Sequence, residues 1–162
     1  MMRWPRGGAT FDPTRTYRYN LWRERDAGSG MVAYGMLNPS TAAEDVDDNT
    51  IRRCLGFAEA LNKQRVEAWN LYAYCATHPS DLARASAPIG PDNDRWILDV
   101  CGRADLVIVA WGAHAMVRNR APWVLAMLAQ RGVGVTCLRR TKGGFPEHPS
   151  RLPGNLRPEA YR

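Results

Sequence analysis

Short apolar runs alternate along this chain with segments of helical period, and that alternation limits the fold more than any other feature. Residues 31–37 form a continuous apolar run that stops at Asn38-Pro39. Behind the cap-type residues Asp48, Asn49 and Thr50, the positions Ile51, Cys54, Leu55, Ala58 and Leu61 recur at helical spacing, which predicts a helix over 51–61. A second apolar run covers 66–73, and Asp92 or Asn93 can cap a helix reaching Cys101. Residues 105–110 have the length and composition of a buried strand ended by Gly112; a helix over 121–130 and a short strand over 134–138 follow. Strand–helix–strand units with this order make parallel crossovers. The expected architecture is α/β: a three-layer α/β/α sandwich whose mainly parallel central sheet has about four to five strands. The segment 17–22 alternates aromatic and polar residues and reads as a hairpin strand feeding the core strand 31–37, antiparallel at the sheet edge.

Regular structure should lapse in the polar stretch through Pro79, Pro88 and Pro91. A chain of 162 residues falls within the size of one domain, so 1–162 is expected to fold as a unit, with 1–15 and 150–162 as loosely ordered tails. Hydrophobic residues at 45% and charged residues at 23% exclude a disordered chain. The four cysteines, Cys54, Cys75, Cys101 and Cys137, form no CxxC pair and have no histidine at ligand spacing. They are expected as reduced, mostly buried thiols, with no metal and no cofactor. No apolar stretch reaches the ~18 residues of a membrane span, and no apolar segment follows Arg3 and Arg6, so the expectation is a soluble, cytoplasmic monomer with no membrane partner.

Four motifs stand where predicted strands end, in the order GMLNPST at 35–41, WNLYAY at 69–74, AWGAHA at 110–115 and HPS at 148–150. In open α/β sheets, ligands bind beyond the carboxyl ends of the strands, so these motifs can converge on one crevice. Taken singly, each has a plainer reading. Asn38-Pro39-Ser40 can merely end a strand, with Ser40 or Thr41 as a cap; Asn70 can be a buried amide satisfied by backbone; Tyr72, Tyr74 and Trp111 can be ordinary core aromatics. His78-Pro79-Ser80 repeats the HPS triplet, and the copy at His148 is preferred because it follows the last strand. Asp48 can cap the helix with Thr50, or it can face the crevice and orient a water near Asn38. Glu44, Asp45 and Asp47 fit a solvated loop better than a magnesium site.

The order of these motifs resembles the uracil-DNA glycosylase superfamily, which has an N-P or D-P water-activating loop, a base-reading Asn, a W-G-x-x-A turn and a late HPS loop. Most of 17–149 also resembles, more closely, the bacterial and phage family called domain of unknown function 1643, whose members carry YRY, LNPST, DDxTIRR, NL, WG and HP elements. The first resemblance implies that Asn38 manages the attacking water and that His148 stabilises the departing base; separately, an Asp48 that faces the crevice can supply the base that the amide of Asn38 cannot be. The resemblance further implies that Asn70 reads the edge of an extruded base while Tyr72, Trp111 and His114 help to bind it. Here Arg151-Leu152-Pro153 follows the HPS loop where the superfamily continues Pro-Leu-Ser.

The net charge of +6, with 22 Lys plus Arg against 16 Asp plus Glu, suits an anionic partner. Its densest patch is Arg139, Arg140 and Lys142 followed by Gly143-Gly144, where backbone amides can approach an anion; the plainer reading is a solvated loop. Ser40, Thr41 and Ser150 join it as phosphate-contact candidates. A P-loop is excluded, since GxxxxGK followed by Ser or Thr does not occur. The functional expectation is a DNA glycosylase-like hydrolase that extrudes and excises a modified or damaged base from single- or double-stranded DNA. The alternatives are an N-glycoside hydrolase of free nucleotides or nucleosides and a non-catalytic binder of modified DNA.

Overall fold

In a computed structural model the described residues are 3–41 and 44–162. Among the described residues, seven strands form one mixed sheet in the order β1-β2-β4-β3-β5-β6-β7, which exceeds the four to five strands expected. The strands are β1 (Arg6–Phe11), β2 (Arg18–Glu24), β3 (Met31–Met36), β4 (Arg65–Asn70), β5 (Leu106–Val109), β6 (Thr136–Cys137) and β7 (Glu159–Ala160). The described residues also form four helices: α1 (Asn49–Ala60), α2 (Pro79–Arg84), α3 (Asn93–Arg103) and α4 (Ala115–Gln130). Neighbours among β4, β3, β5 and β6 run parallel, while β1, β2 and β7 pair antiparallel at the two edges.

The differences from expectation lie where apolar content is low or proline intervenes. β1 has the sequence RGGATF, too poor in apolar residues to read as a strand, yet it pairs with β2 from Arg6↔Glu24 to Phe11↔Arg18. The hairpin is therefore β1–β2, and β2 lies against β4 rather than β3. Both segments expected as loose tails thus carry a strand, β1 in one and β7 in the other. The Pro79 stretch holds the short helix α2, with proline in the first turn, where its missing N–H costs nothing. α4 begins at Ala115 rather than at 121, because Pro122 sits inside the helix instead of opening it.

Alternate residues of the central strands feed two separate buried clusters. Val32, Tyr34 and Met36 pack with Ile51, Cys54, Leu55 and Phe57 of α1. Ala33, Trp69, Val107 and Val109 pack with α3 and α4 through Ile97, Val100, Val124 and Leu128. A pleated strand sends successive side chains to opposite faces, so α1 covers one face of the sheet and α3 with α4 the other. Gly35 is fixed by this packing: a Cβ there would lie 2.5 Å from Cζ2 of the fully buried Trp69 on the neighbouring strand. Among ion pairs, the buried Glu67 accepts from both Arg65 and Arg103 and from the Asn20 amide, which stitches β2, β4 and α3 together. Burial pushes the Glu67 carboxyl up, but hydrogen bonds from Arg103 and Arg65 outweigh it and hold its pKa below the ordinary value.

Candidate functional site

The chain leaves β3 through α1 to β4 on one side, then crosses back to β5 on the other, so strand order reverses between β3 and β5. Such a reversal leaves a crevice outside the carboxyl ends of the strands. A cavity of about 250 Å³ lies there. Leu37 and Asn38 line it just beyond β3, Asn70 lines it from the last position of β4, and Trp111 lines it two residues beyond β5. Asp48 and Thr50 at the start of α1 form another wall, and His148 closes it from the loop before the 3-10 turn Pro149–Arg151. Ser40 also reaches the lining. Six residues singled out from sequence, separated widely along the chain, thus share one small cavity.

Hydrogen bonds set the polarity of each wall. The Asn38 Nδ2 donates to the carbonyls of Pro39 (3.0 Å) and Ala76 (2.8 Å), which ties down the amide nitrogen and leaves Oδ1 as the acceptor. The Asp48 Oδ1 accepts from the Ile51 N–H at 2.8 Å as the N-cap of α1, leaving Oδ2 as the carboxylate oxygen for other partners. Both expected roles of Asp48, cap and cavity wall, are therefore occupied at once. The His148 Nδ1 lies 2.9 Å from the Ser150 hydroxyl and accepts from the Ser150 N–H. An accepting Nδ1 places the neutral ring's proton on Nε2. Asn70 is buried, and its side-chain amide makes no hydrogen bond with another described residue. Trp111 is buried with its Nε1–H likewise unpartnered among the described residues; its ring meets Trp69 edge-on, centroids 6.2 Å apart.

Burial lowers the His148 pKa below its ordinary 6.5, with the Asp48 carboxylate opposing in part. Its imidazole is accordingly neutral at neutral pH. A group whose folded pKa is depressed disfavours protonation of the native state. Its contribution to stability is complete above pH 6.5 and is lost as pH falls toward the folded pKa. The His148 ring protons should titrate by NMR with a midpoint below 6.5. A midpoint at or above that value contradicts the burial argument.

Other expected residues lie elsewhere. Tyr72 packs in the cluster beneath α4 and donates its hydroxyl to the Met116 carbonyl at 2.8 Å, because the chain has left β4 and turned before reaching it. His114 caps α4 by accepting from the Met116 N–H, the chain having turned at Gly112 with φ 74°. Arg139 forms a paired contact with Glu147, and Arg140 bonds the Ala160 carbonyl near Glu159. Lys142 is exposed in the same loop. None of these six, Tyr72, His114, Arg139, Arg140, Lys142 and Ser150, lines the cavity, although Ser150 reaches it through His148. Thr41 bonds Thr77 side chain to side chain and lines a more open depression of about 530 Å³, which adjoins the cavity across Ala76 and Thr77 and contains His78. Tyr74 lines that depression as well.

Sequence reasoning passed over Arg18, which is 7% exposed and lines the cavity. The signal available was a lone arginine between two aromatic residues, Tyr17 and Tyr19, in a strand otherwise suited to burial. The four cysteines are free, three buried and Cys75 half-buried, and burial pushes all four thiols up. Among the described residues no group of three or more His, Cys, Asp or Glu is placed to hold a metal ion, and no helix is long and apolar enough to cross a membrane.

These features define an α/β protein with a small cavity of mixed polar and apolar lining at the switch point of its sheet. The model of the family described as Protein of unknown function (DUF1643) matches residues 18–150, and the chain belongs to that family. The match runs from Arg18 to Ser150 and so includes every residue lining the cavity. No curated protein and no solved structure matches the chain.

Proposed function

We propose that the cavity receives a single nucleobase and that the protein hydrolyses the N-glycosidic bond holding it, in the manner of a DNA glycosylase. The observation that carries this reading is the convergence of Asn38, Asp48, Asn70, Trp111 and His148 on one small cavity. Its size, about 250 Å³, falls below the roughly 300–1,000 Å³ of ordinary ligand pockets and suits one planar ring. The arrangement of α1 against one sheet face and α3 with α4 against the other also agrees with a three-layer sandwich of the uracil-DNA glycosylase type.

The chemistry follows from the donors and acceptors. Asn70 offers a donor and an acceptor side by side, which matches the edge of a base. The Asn38 Oδ1 accepts a hydrogen bond that orients the attacking water, and the free oxygen of Asp48 takes the proton that the water loses. Water adds to the anomeric carbon as the bond to the base nitrogen breaks, and the electron pair leaves with the base. The His148 Nε2–H donates to a base oxygen as that charge grows. The open depression across Thr77 gives room for nucleotides flanking an extruded base.

A second reading, an N-glycoside hydrolase acting on free nucleosides or nucleotides, is favoured by one observation. Arg139 is already paired with Glu147, so the strongest basic patch is partly neutralised. Salt separates the two, since DNA binding through several phosphates weakens steeply with salt and binding of a small ligand does not. The deciding assay offers labelled oligonucleotides carrying modified and deaminated bases, single and double stranded, and looks for alkali-labile abasic sites. One base should be released, and Asn38→Ala should slow its release about 100-fold or more. Survival of every base alongside salt-sensitive binding leaves a non-catalytic binder of modified DNA.

A further inference from the structure

We infer that Arg18 is an anion-recognition residue and that the ligand of the cavity carries an oxyanion, either a carboxylate on the base or a phosphate on its nucleotide. The inference rests on the reading of the cavity as a nucleobase site and names the class of ligand within it.

Arg18 opens β2, and its backbone N–H donates to the Ala73 carbonyl at 2.9 Å, just past the end of β4. The neighbouring bridge Tyr17↔Tyr74 and the bond from Cys75 N–H to the Thr16 carbonyl hold the same corner. The start of β2 is thereby fixed against the strand end that supplies Asn70. From there the side chain reaches the cavity lining, the residue as a whole being more than nine-tenths buried. Its Nε has no hydrogen-bond partner among the described residues.

A buried guanidinium nitrogen without a partner is costly, and an arginine cannot escape the cost by losing its proton. The other buried arginines show the usual solution: Arg23 bonds Asp47 and two carbonyls, while Arg120 bonds Asp94 and the Leu71 carbonyl. Arg18 departs from that pattern, although Asp48 and Cys75 are close enough to act on its charge and Arg23 opposes them. Asp48 lines the same cavity and caps α1 through Oδ1, but forms no hydrogen bond or ion pair with Arg18. The planar fork of a guanidinium pairs best with a carboxylate or phosphate, so an oxyanion entering the cavity supplies the missing partner.

The test measures binding to the 162-residue protein by calorimetry with two matched pairs of probes. One pair is uracil and its 6-carboxylate; the other is deoxyuridine and its 5′-monophosphate. At least one charged probe should bind tenfold or more tightly than its neutral parent. A gain confined to the carboxylated base places the anion on the ring, and one confined to the nucleotide places it on the sugar phosphate. Arg18→Met should bring each charged probe to within about twofold of its parent, and Arg18→Lys should restore part of the preference. Equal binding within both pairs, no binding of any probe at millimolar concentration, or a preference retained by Arg18→Met overturns the inference. Should Arg18→Met fail to fold, the comparison of pairs on the unaltered protein still decides. A charge preference without release of any base removes the hydrolytic reading and leaves the anion site standing.

Discussion

Trp69→Ala is expected to destabilise the protein by about 3–5 kcal/mol, a large part of the roughly 5–15 kcal/mol that holds a domain folded. Trp69 is the largest fully buried side chain, packed beneath Gly35 of the neighbouring strand and edge-on to Trp111. Its removal empties the space that the missing Cβ of Gly35 leaves for the indole, and β-sheet backbone cannot collapse to fill it. In a thermal melt the midpoint should fall by about 6–20 °C, taking roughly 2–4 °C per kcal/mol for a chain of this size. Gly35→Val should be destabilising for the opposite reason, since its Cβ alone would meet the indole at 2.5 Å. Melting curves unchanged by both substitutions would mean that the strand pair is not packed in this way.

His148→Ala is expected to slow base release by about 10²–10³-fold, the usual consequence of removing one donor aimed at developing negative charge. The control is His114→Ala. That residue caps α4 away from the cavity, so its loss should cost about 0.5–2 kcal/mol of stability and leave turnover within a few-fold. Equal losses of turnover in the two variants, at matched folded fraction, would sink the assignment of His148 as the donor.

Of the core strands, β3 and β5 were legible as continuous apolar runs, as buried parallel strands require, and β4 through Val66, Ala68 and Trp69 although Glu67 interrupts it. The edge strands were not, for a physical reason. β1 is held by backbone pairing with β2 rather than by burial of its own RGGATF side chains, and β7 has only two residues, both exposed. Hydrophobic pattern reports burial and is silent about backbone pairing alone. The same distinction divides the site. Asn38, Asn70 and Trp111 were legible because each stands at or just beyond the carboxyl end of a readable strand. His148 followed from its place after the last core strand. Arg18 stands at the start of an antiparallel strand and pairs with Phe11 of β1, which could not be read, so nothing in the sequence indicated which wall it would reach. Tyr72 and His114 belong to legible motifs but lie past the point where the backbone turns, and one turn redirected both side chains.

The cavity draws on the starts of β2 and α1, the ends of three parallel strands and the His148 loop, which come together only when the sheet is complete. A ligand that needs all of these walls binds the native state and not the unfolded chain. Binding and folding are then thermodynamically linked, and occupancy at a hundred times Kd adds about 2.7 kcal/mol to the stability of the whole domain. The physiological ligand therefore reveals itself as a raised melting temperature in an unbiased collection of bases, nucleotides and oligonucleotides, before any assumption is made about the reaction it undergoes.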